Sequence, residues 1–218
     1  MNLMRNELDF SSEPALTPNT DPYALAKALS GRHLIGGKLV PASSGNSFEV
    51  IDPATGAIIG YGAEGDAVDV NLAVEDAAAA QKEWGKMRAR DRGALIHKCG
   101  EVLMDHVEEL GRLIALETGK ALRTESRVEA SILADAFLFN AGLASELKGE
   151  TVPHHPDMLT ITVREPIGVV GAIIPWNVPL LLMALKIAPA LVAGNTVVVK
   201  SAEEAPLTVL RVCQILAS

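Results

Sequence analysis

The sequence predicts an α/β fold: a parallel sheet preceded by helices and carrying a protruding β-hairpin. Three observations carry this. Two apolar β-branched runs, Ile167–Ile174 and Thr196–Val199, are each followed by an apolar stretch of helical length, the pattern of strands buried by crossover helices. Residues 66–147 show helical periodicity instead. Between the two regions, Lys148–Val152 and Leu159–Arg164 alternate and contain Thr and Val, so they read as a two-stranded hairpin joined by the loop His154–Met158.

In chain order, residues 1–30 carry scattered Pro, Ser and Thr and read as an irregular leader with one short helix near Tyr23–Leu29. Short strands are expected at His33–Ile35 and Lys38–Val40, joined by a Gly36-Gly37 turn, and at Phe48–Ile51 and Ile58–Gly62, joined by Pro53-Ala-Thr-Gly56. Asp66 is placed to cap a helix reaching Trp84 whose apolar side includes Val70, Val74 and Ala77. Further helices are predicted from Ala89 to Met104, with Leu95, Ile96, Cys99 and Leu103 on one face, and from Val107 to Thr118, stopped by Gly119. A long helix is predicted from Ala121 to Leu147. After the strand Ile167–Ile174 comes a helix over 179–193, and after Thr196–Val199 a helix over Leu207–Ser218 started by Pro206. A helix after a parallel strand normally crosses over to another strand, and none follows here, so the sequence reads as the first part of something longer.

Composition narrows the function. Of 218 residues, 19 are Lys or Arg and 27 are Asp or Glu, a net charge of -8 with no basic stretch, which argues against electrostatic binding to nucleic acid or to an anionic membrane. Pro166–Leu185 is uncharged and long enough to span a bilayer, but Pro175, Asn177 and Pro179 break the helix a span needs. Two cysteines form no disulfide framework, and the polar N-terminus has no apolar signal core; a cytoplasmic location is expected. No P-loop occurs, and without H-E-x-x-H or C-x-x-C no metal site is expected. His154-His155 reads as hairpin loop, and Cys99 and Cys213, each among aliphatic neighbours, read as core thiols rather than nucleophiles.

Ligands of open parallel sheets gather beyond the carboxyl ends of the strands, so the two strand ends are the candidate site. The first reads Ile174-Pro175-Trp176-Asn177, the second Lys200-Ser201-Ala202-Glu203. Asn177 offers an uncharged amide donor between two prolines; it can stabilise a developing oxyanion or cap the following helix. Lys200 and Glu203 can grip a sugar diol, in which case the carboxylate disfavours a 2′-phosphate and favours NAD over NADP, or they form a solvated strand end beside a helix start. Lys186, the only charge between Pro166 and Val199, either snorkels to solvent or lines a site and relays protons.

Gly168-Val-Val-Gly-Ala-Ile-Ile-Pro-Trp-Asn177 and Pro189-Ala-Leu-Val-Ala-Gly-Asn-Thr-Val-Val-Val-Lys200 strongly resemble the NAD(P)-dependent aldehyde dehydrogenases. Asp52-Pro-Ala-Thr-Gly56, Glu117-Thr-Gly-Lys120 and Arg164-Glu-Pro-Ile-Gly168 resemble that family too, from about His33 to the end. The resemblance implies an aldehyde-dehydrogenase-like Rossmann-type sheet, incomplete here, and oxidation of a small-molecule aldehyde to an acid through a cysteine thiohemiacetal and hydride transfer to NAD, or else NADP. It implies an oxyanion-donor role for Asn177 and a proton relay for Lys186. It also implies a cofactor lining of Ile174, Pro175 and Trp176, continued by the segment Lys200, Ser201, Ala202 and Glu203, in which Lys200 and Glu203 hold the adenosine ribose. By the same resemblance, 31–147 and 167–218 are the N-terminal part of the dinucleotide-binding domain, and 148–166 is an oligomerisation arm of a homo-oligomer when full length. Val178, Leu185 and Ser201 depart from the family pattern without removing a functional group. The family's G-x-T-x-x-G loop, general-base glutamate and nucleophilic cysteine do not occur, so the chain alone is expected to be an inactive fragment. The alternative is a non-catalytic truncated module that pairs with full-length subunits.

Overall fold

The computed structural model describes residues 16–218; the first fifteen positions of the expected leader lie outside the described residues. The helix expected within that leader is α1, Pro22–Leu29, with Pro22 at its first position and the Asp21 carboxylate accepting the Tyr23 and Ala24 amides at 3.1 Å. Strands β1 (Arg32–Ile35) and β2 (Lys38–Pro41) form the expected hairpin, and both turn residues, Gly36 and Gly37, take the left-handed conformation that a two-residue turn of this kind requires. Strands β3 (Ser47–Ile51) and β4 (Ile58–Ala63) pair antiparallel.

The helical layer consists of α2 (Ala67–Trp84), α3 (Ala89–Asp105), α4 (Val107–Thr118) and α5 (Arg127–Gly142). A reciprocal capping box between Asp66 and Asp69 starts α2, and left-handed Gly119 stops α4. The long helix expected over Ala121–Leu147 is broken at both ends. A π-helical turn, Leu122–Ser126, precedes α5, and a 3₁₀ turn, Ala144–Glu146, follows it. In the π turn the Ala121 carbonyl accepts from both Glu125 and Ser126, and this extra residue re-phases α5 so that Glu129 is buried. The apolar face expected on α2 is also corrected: Val70 and Val74 are exposed, and only Asp69 and Ala77 are buried. What holds α2 is polar. Gln81 donates to the Gly194 carbonyl and accepts the Thr196 amide, both at 2.8 Å, and the Trp84 ring N–H donates to the Leu191 carbonyl. On α3, Ile96 and Leu103 are buried as expected, whereas Leu95 is exposed.

The hairpin strands are β5 (Thr151–His155) and β6 (Met158–Ile161), so His154 and His155 lie in a strand and the connection is shorter than expected. Strands β7 (Val169–Ile173) and β8 (Thr196–Lys200) are parallel and in register from Val169–Thr196 to Ile173–Lys200. Helices α6 (Pro179–Val192) and α7 (Pro206–Ala217) follow them. The first strand is not the continuous buried run expected. Ala172 and Ile174 are buried, but Ile167, ahead of β7, and Ile173 are 87% and 70% exposed: successive side chains alternate, and the face that Ile173 shares with Val169 meets α2 at the other end of the strands, where the Thr196 hydroxyl donates to the Ala77 carbonyl.

One core joins Leu103, Leu110, Leu133 and Phe137 of the helical layer to Leu180, Met183 and Ile187 of α6 and Val212 of α7. A second joins Leu25 and Leu29 of α1 to Val50, Ile59, Leu113 and Leu207. Helices α3 and α5 cross closely at Gly93 and Gly100; a Cβ at Gly93 would stand 2.9 Å from the Ala141 carbonyl oxygen.

Candidate functional site at the carboxyl edge of the sheet

The in-register parallel pairing brings the ends of β7 and β8 side by side, and the Ile174 amide extends the ladder to the Lys200 carbonyl at 2.8 Å. The two loops that leave the sheet there carry the residues singled out from sequence. Ile174 is buried, Pro175 is half-buried, and Trp176 and Asn177 are exposed. On the second loop Ser201 is half-buried, Ala202 is buried and Glu203 is exposed. Lys200 Nζ lies 2.6 Å from Glu203 Oε1, with more than half of each side chain exposed. That hydrogen bond holds the Glu203 carboxyl below its ordinary range, so it is ionised. Lys186 reaches back along α6 and donates to the Ile173 carbonyl.

The capping alternative for Asn177 is not what the structure contains. The N-cap of α6 is Val178, and no side chain next to it caps the helix. The first-turn amides of Leu180 and Leu181 are taken instead by Glu129 Oε1, at 2.8 and 3.3 Å. Helix α7 repeats this. Its N-cap is Ala205, and Glu117 accepts the Leu207 amide on Oε1 at 2.5 Å and the Thr208 amide and hydroxyl on Oε2 at 3.0 and 2.6 Å. Burial pushes the Glu117 carboxyl up to about 7, against the pull of these three hydrogen bonds. Glu129 is also paired with Lys120. Glu117, Lys120 and Glu129 were not among the sequence candidates. One signal was present: a glutamate in the last turn of α4 opposes the helix dipole and so has a task elsewhere.

Neither cysteine offers a nucleophile to this edge of the sheet. Burial raises the Cys99 thiol and pushes Cys213 up to about 12, and both pack against the main core. Among the described residues no three His, Cys, Asp or Glu side chains are grouped to hold a metal, and no helix is long and apolar enough to cross a membrane.

A parallel βα pair with polar loops at its carboxyl edge places the chain among α/β proteins that carry their site at the strand ends. The chain belongs to the aldehyde dehydrogenase family, whose family model matches residues 39–218. It is 42% identical over 177 residues to aldehyde dehydrogenase family 2 member B4, mitochondrial, of Arabidopsis thaliana, a match that covers 80% of this chain and 33% of that protein. The crystal structure of HpcC from Thermus thermophilus superposes with a TM-score of 0.85 at 37% identity, over 89% of this chain and 38% of that one. Betaine aldehyde dehydrogenase from Staphylococcus aureus, solved in complex with NAD+, gives 0.84 at 35% identity, over 89% of this chain and 39% of that one. The chain thus spans between a third and two-fifths of the length of these relatives.

Proposed function

We propose that this chain supplies the cofactor-binding edge and the oxyanion donor of an NAD-dependent aldehyde dehydrogenase, which oxidises an aldehyde to a carboxylic acid. The observation that carries the reading is the exposed Lys200–Glu203 pair at the end of β8, beside a loop on which Trp176 and Asn177 are both exposed. NAD, when bound, supplies the acceptor for the substrate's hydride. The residues fit that group. The Glu203 carboxylate accepts from a ribose diol and Lys200 donates to it, while the ionised carboxylate repels a 2′-phosphate and disfavours NADP. In this reading the backbone of Ile174, Pro175 and Trp176 on one loop, and Ser201 and Ala202 on the loop that the paired strand brings beside it, line the cofactor. Asn177 points an uncharged amide donor at charge developing on the aldehyde oxygen, and its freedom from capping supports that role. Lys186 relays a proton only after leaving the Ile173 carbonyl.

Covalent aldehyde oxidation requires a thiolate and a base. The raised thiol pKa of both cysteines, each partly buried, supports the reading that the chain alone turns nothing over. The main core, built from residues on both sides of the hairpin, supports treating 31–147 and 167–218 as one part of a dinucleotide-binding domain. The hairpin, 148–166, is assigned as an oligomerisation arm of a homo-oligomer. It also favours a second reading, a non-catalytic module pairing with full-length subunits, because Leu159, Ile161 and Val163 are exposed on it. A cytoplasmic location is proposed from the two free thiols, although the Arabidopsis relative is mitochondrial.

Calorimetric titration of the chain with NAD+ and NADP+ tests the cofactor reading. NAD+ is expected to bind more tightly than NADP+, and Lys200→Ala/Glu203→Ala to abolish the preference. Equal NAD+ binding by that double variant would overturn it.

A further inference from the structure

We infer that Glu129 and Glu117 are positioning residues: buried carboxylates that cap α6 and α7 from outside those helices and thereby hold the two site loops while leaving the loops' own polar side chains free for ligand. The inference rests on the proposed function for what the loops do, but not for the coupling itself.

The two helix starts are built alike. Each has Pro at its first position, and each N-cap is apolar with nearly the same backbone, φ -142° and ψ 63° at Val178 against φ -143° and ψ 59° at Ala205. Neither N-cap residue can accept an amide through its side chain, so the first-turn N–H groups would be orphaned in a buried setting, an expensive arrangement. In each helix the second and third residues donate instead to a glutamate from the helical layer: Leu180 and Leu181 to Glu129, Leu207 and Thr208 to Glu117. Both carboxylates are nearly inaccessible to solvent, and each lies at the positive end of the helix dipole. They flank one anchor, since Glu117 lies in the last turn of α4, Lys120 follows Gly119, and Lys120 pairs with Glu129 across the π turn.

The consequence lies in what is spared. Asn177 directly precedes the N-cap of α6, a position from which an amide side chain could be drawn into capping, and Glu203 stands two residues before the N-cap of α7. With caps supplied from α4 and α5, both side chains stay exposed while the backbone on either side is tied down. A local cap would immobilise the loops equally well but would occupy the group that meets the ligand. The core thus sets the position of the loops without using their chemistry.

The oxygen assignment separates the two sites experimentally. Both α6 amides use a single oxygen, Oε1 of Glu129, while Oε2 faces Lys120. A glutamine therefore suffices as cap once the lysine charge is removed. The α7 donors use both oxygens of Glu117, so glutamine satisfies only one side. Amide hydrogen exchange of the 218-residue chain, read by mass spectrometry on Glu129→Ala/Lys120→Met, Glu129→Gln/Lys120→Met, Glu117→Ala and Glu117→Gln, tests this. The Glu129→Ala pair should speed exchange over 177–182 by about tenfold or more and leave 203–209 unchanged, with the glutamine pair restoring protection. Both Glu117 variants should speed exchange over 203–209 only, and Glu117→Ala should weaken NAD+ binding by about tenfold. Uniform acceleration across the chain, or unchanged exchange at the capped loop, would overturn the coupling. Loosened 203–209 with unchanged NAD+ affinity would overturn the positioning role. If the unsubstituted chain binds no NAD+, the cofactor reading falls while the exchange data still decide the coupling.

Discussion

Replacing Glu109 with Ala removes the centre of a buried ionic chain. Glu109 Oε1 accepts from Arg211 Nε at 2.6 Å and Oε2 meets His106 Nδ1 at 2.6 Å, so one carboxylate ties α4 to α7. The Glu109 side chain is fully inaccessible and that of Arg211 is 6% exposed. The substitution therefore leaves a guanidinium buried without its carboxylate, with Gln214 Oε1 accepting from Nη1. Stranding one partner of such a pair costs about 3–5 kcal/mol, whereas replacing both partners by apolar residues of similar volume is about neutral or better. At roughly 2–4 °C per kcal/mol for a chain of this size, Glu109→Ala should lower Tm by about 10 °C. Glu109→Leu/Arg211→Met should recover most of that loss. Urea unfolding of Glu109→Leu, Arg211→Met and the double variant, followed by circular dichroism, gives the coupling directly. A single-variant loss below about 1 kcal/mol, or a double variant as unstable as Glu109→Ala, would refute the assignment of the cost to an uncompensated buried charge.

The Glu117 carboxyl titrates near 7 when folded against 4.5 ordinarily, so the folded chain holds a proton that the unfolded chain has released; this group's contribution declines as pH rises from 4.5 to 7, by up to about 3 kcal/mol, and Glu117→Gln should flatten that slope in urea midpoints. Glu108, held down to about 2 by Arg127 and Arg112, works in the opposite sense and in another window, its contribution being lost as pH falls from 4.5 towards 2, which Glu108→Gln should abolish. Gly93→Ala pushes a methyl to 2.9 Å from the Ala141 carbonyl oxygen and should destabilise by about 1–3 kcal/mol in the same assay. With its thiol near 12 and its side chain half-buried against the core, Cys213 should react with a thiol reagent at about pH 8 far more slowly folded than unfolded, and aldehyde-dependent NADH formation by the chain should stay at background. Rapid labelling of Cys213 in the folded chain, or robust turnover, would contradict this.

Much of the fold was open to pattern reasoning because its signals are local. The Gly36-Gly37 turn, the Asp66 cap, the Gly119 stop and the proline starts of α6 and α7 all lie where turn and capping chemistry place them. The errors have a common cause, which is that periodicity reports an apolar face but not what covers it. Val70 and Val74 of α2 sit on such a face and are exposed, because α2 is held by Gln81 and Trp84 reaching backbone carbonyls more than a hundred positions along the chain. Ile173 reads as core in a run of Val and Ile, yet alternation turns it away from the main core that Ala172 joins. The π turn before α5 is invisible to a 3.6-residue period because it inserts one residue into an otherwise regular pattern.

The site divides along the same line. Lys200 and Glu203 are three residues apart at a strand end, so their ion pair follows from sequence once the strand is placed. Asn177 could not be resolved in that way. Its capping reading depends on whether the first turn of α6 has another acceptor, and that acceptor, Glu129, lies 51 positions before Leu180 on a helix whose phase depends on the unanticipated π turn. A long-range contact of this kind has no spacing rule. The local sequence does carry a negative trace of it, since α6 and α7 both begin with proline after an apolar residue, at positions where Ser, Thr, Asp or Asn would ordinarily satisfy the first amides. A buried helix start with no local cap implies a distant one, and an unassigned acid in the last turn of a preceding helix, as Glu117 is in α4, is where to look for it.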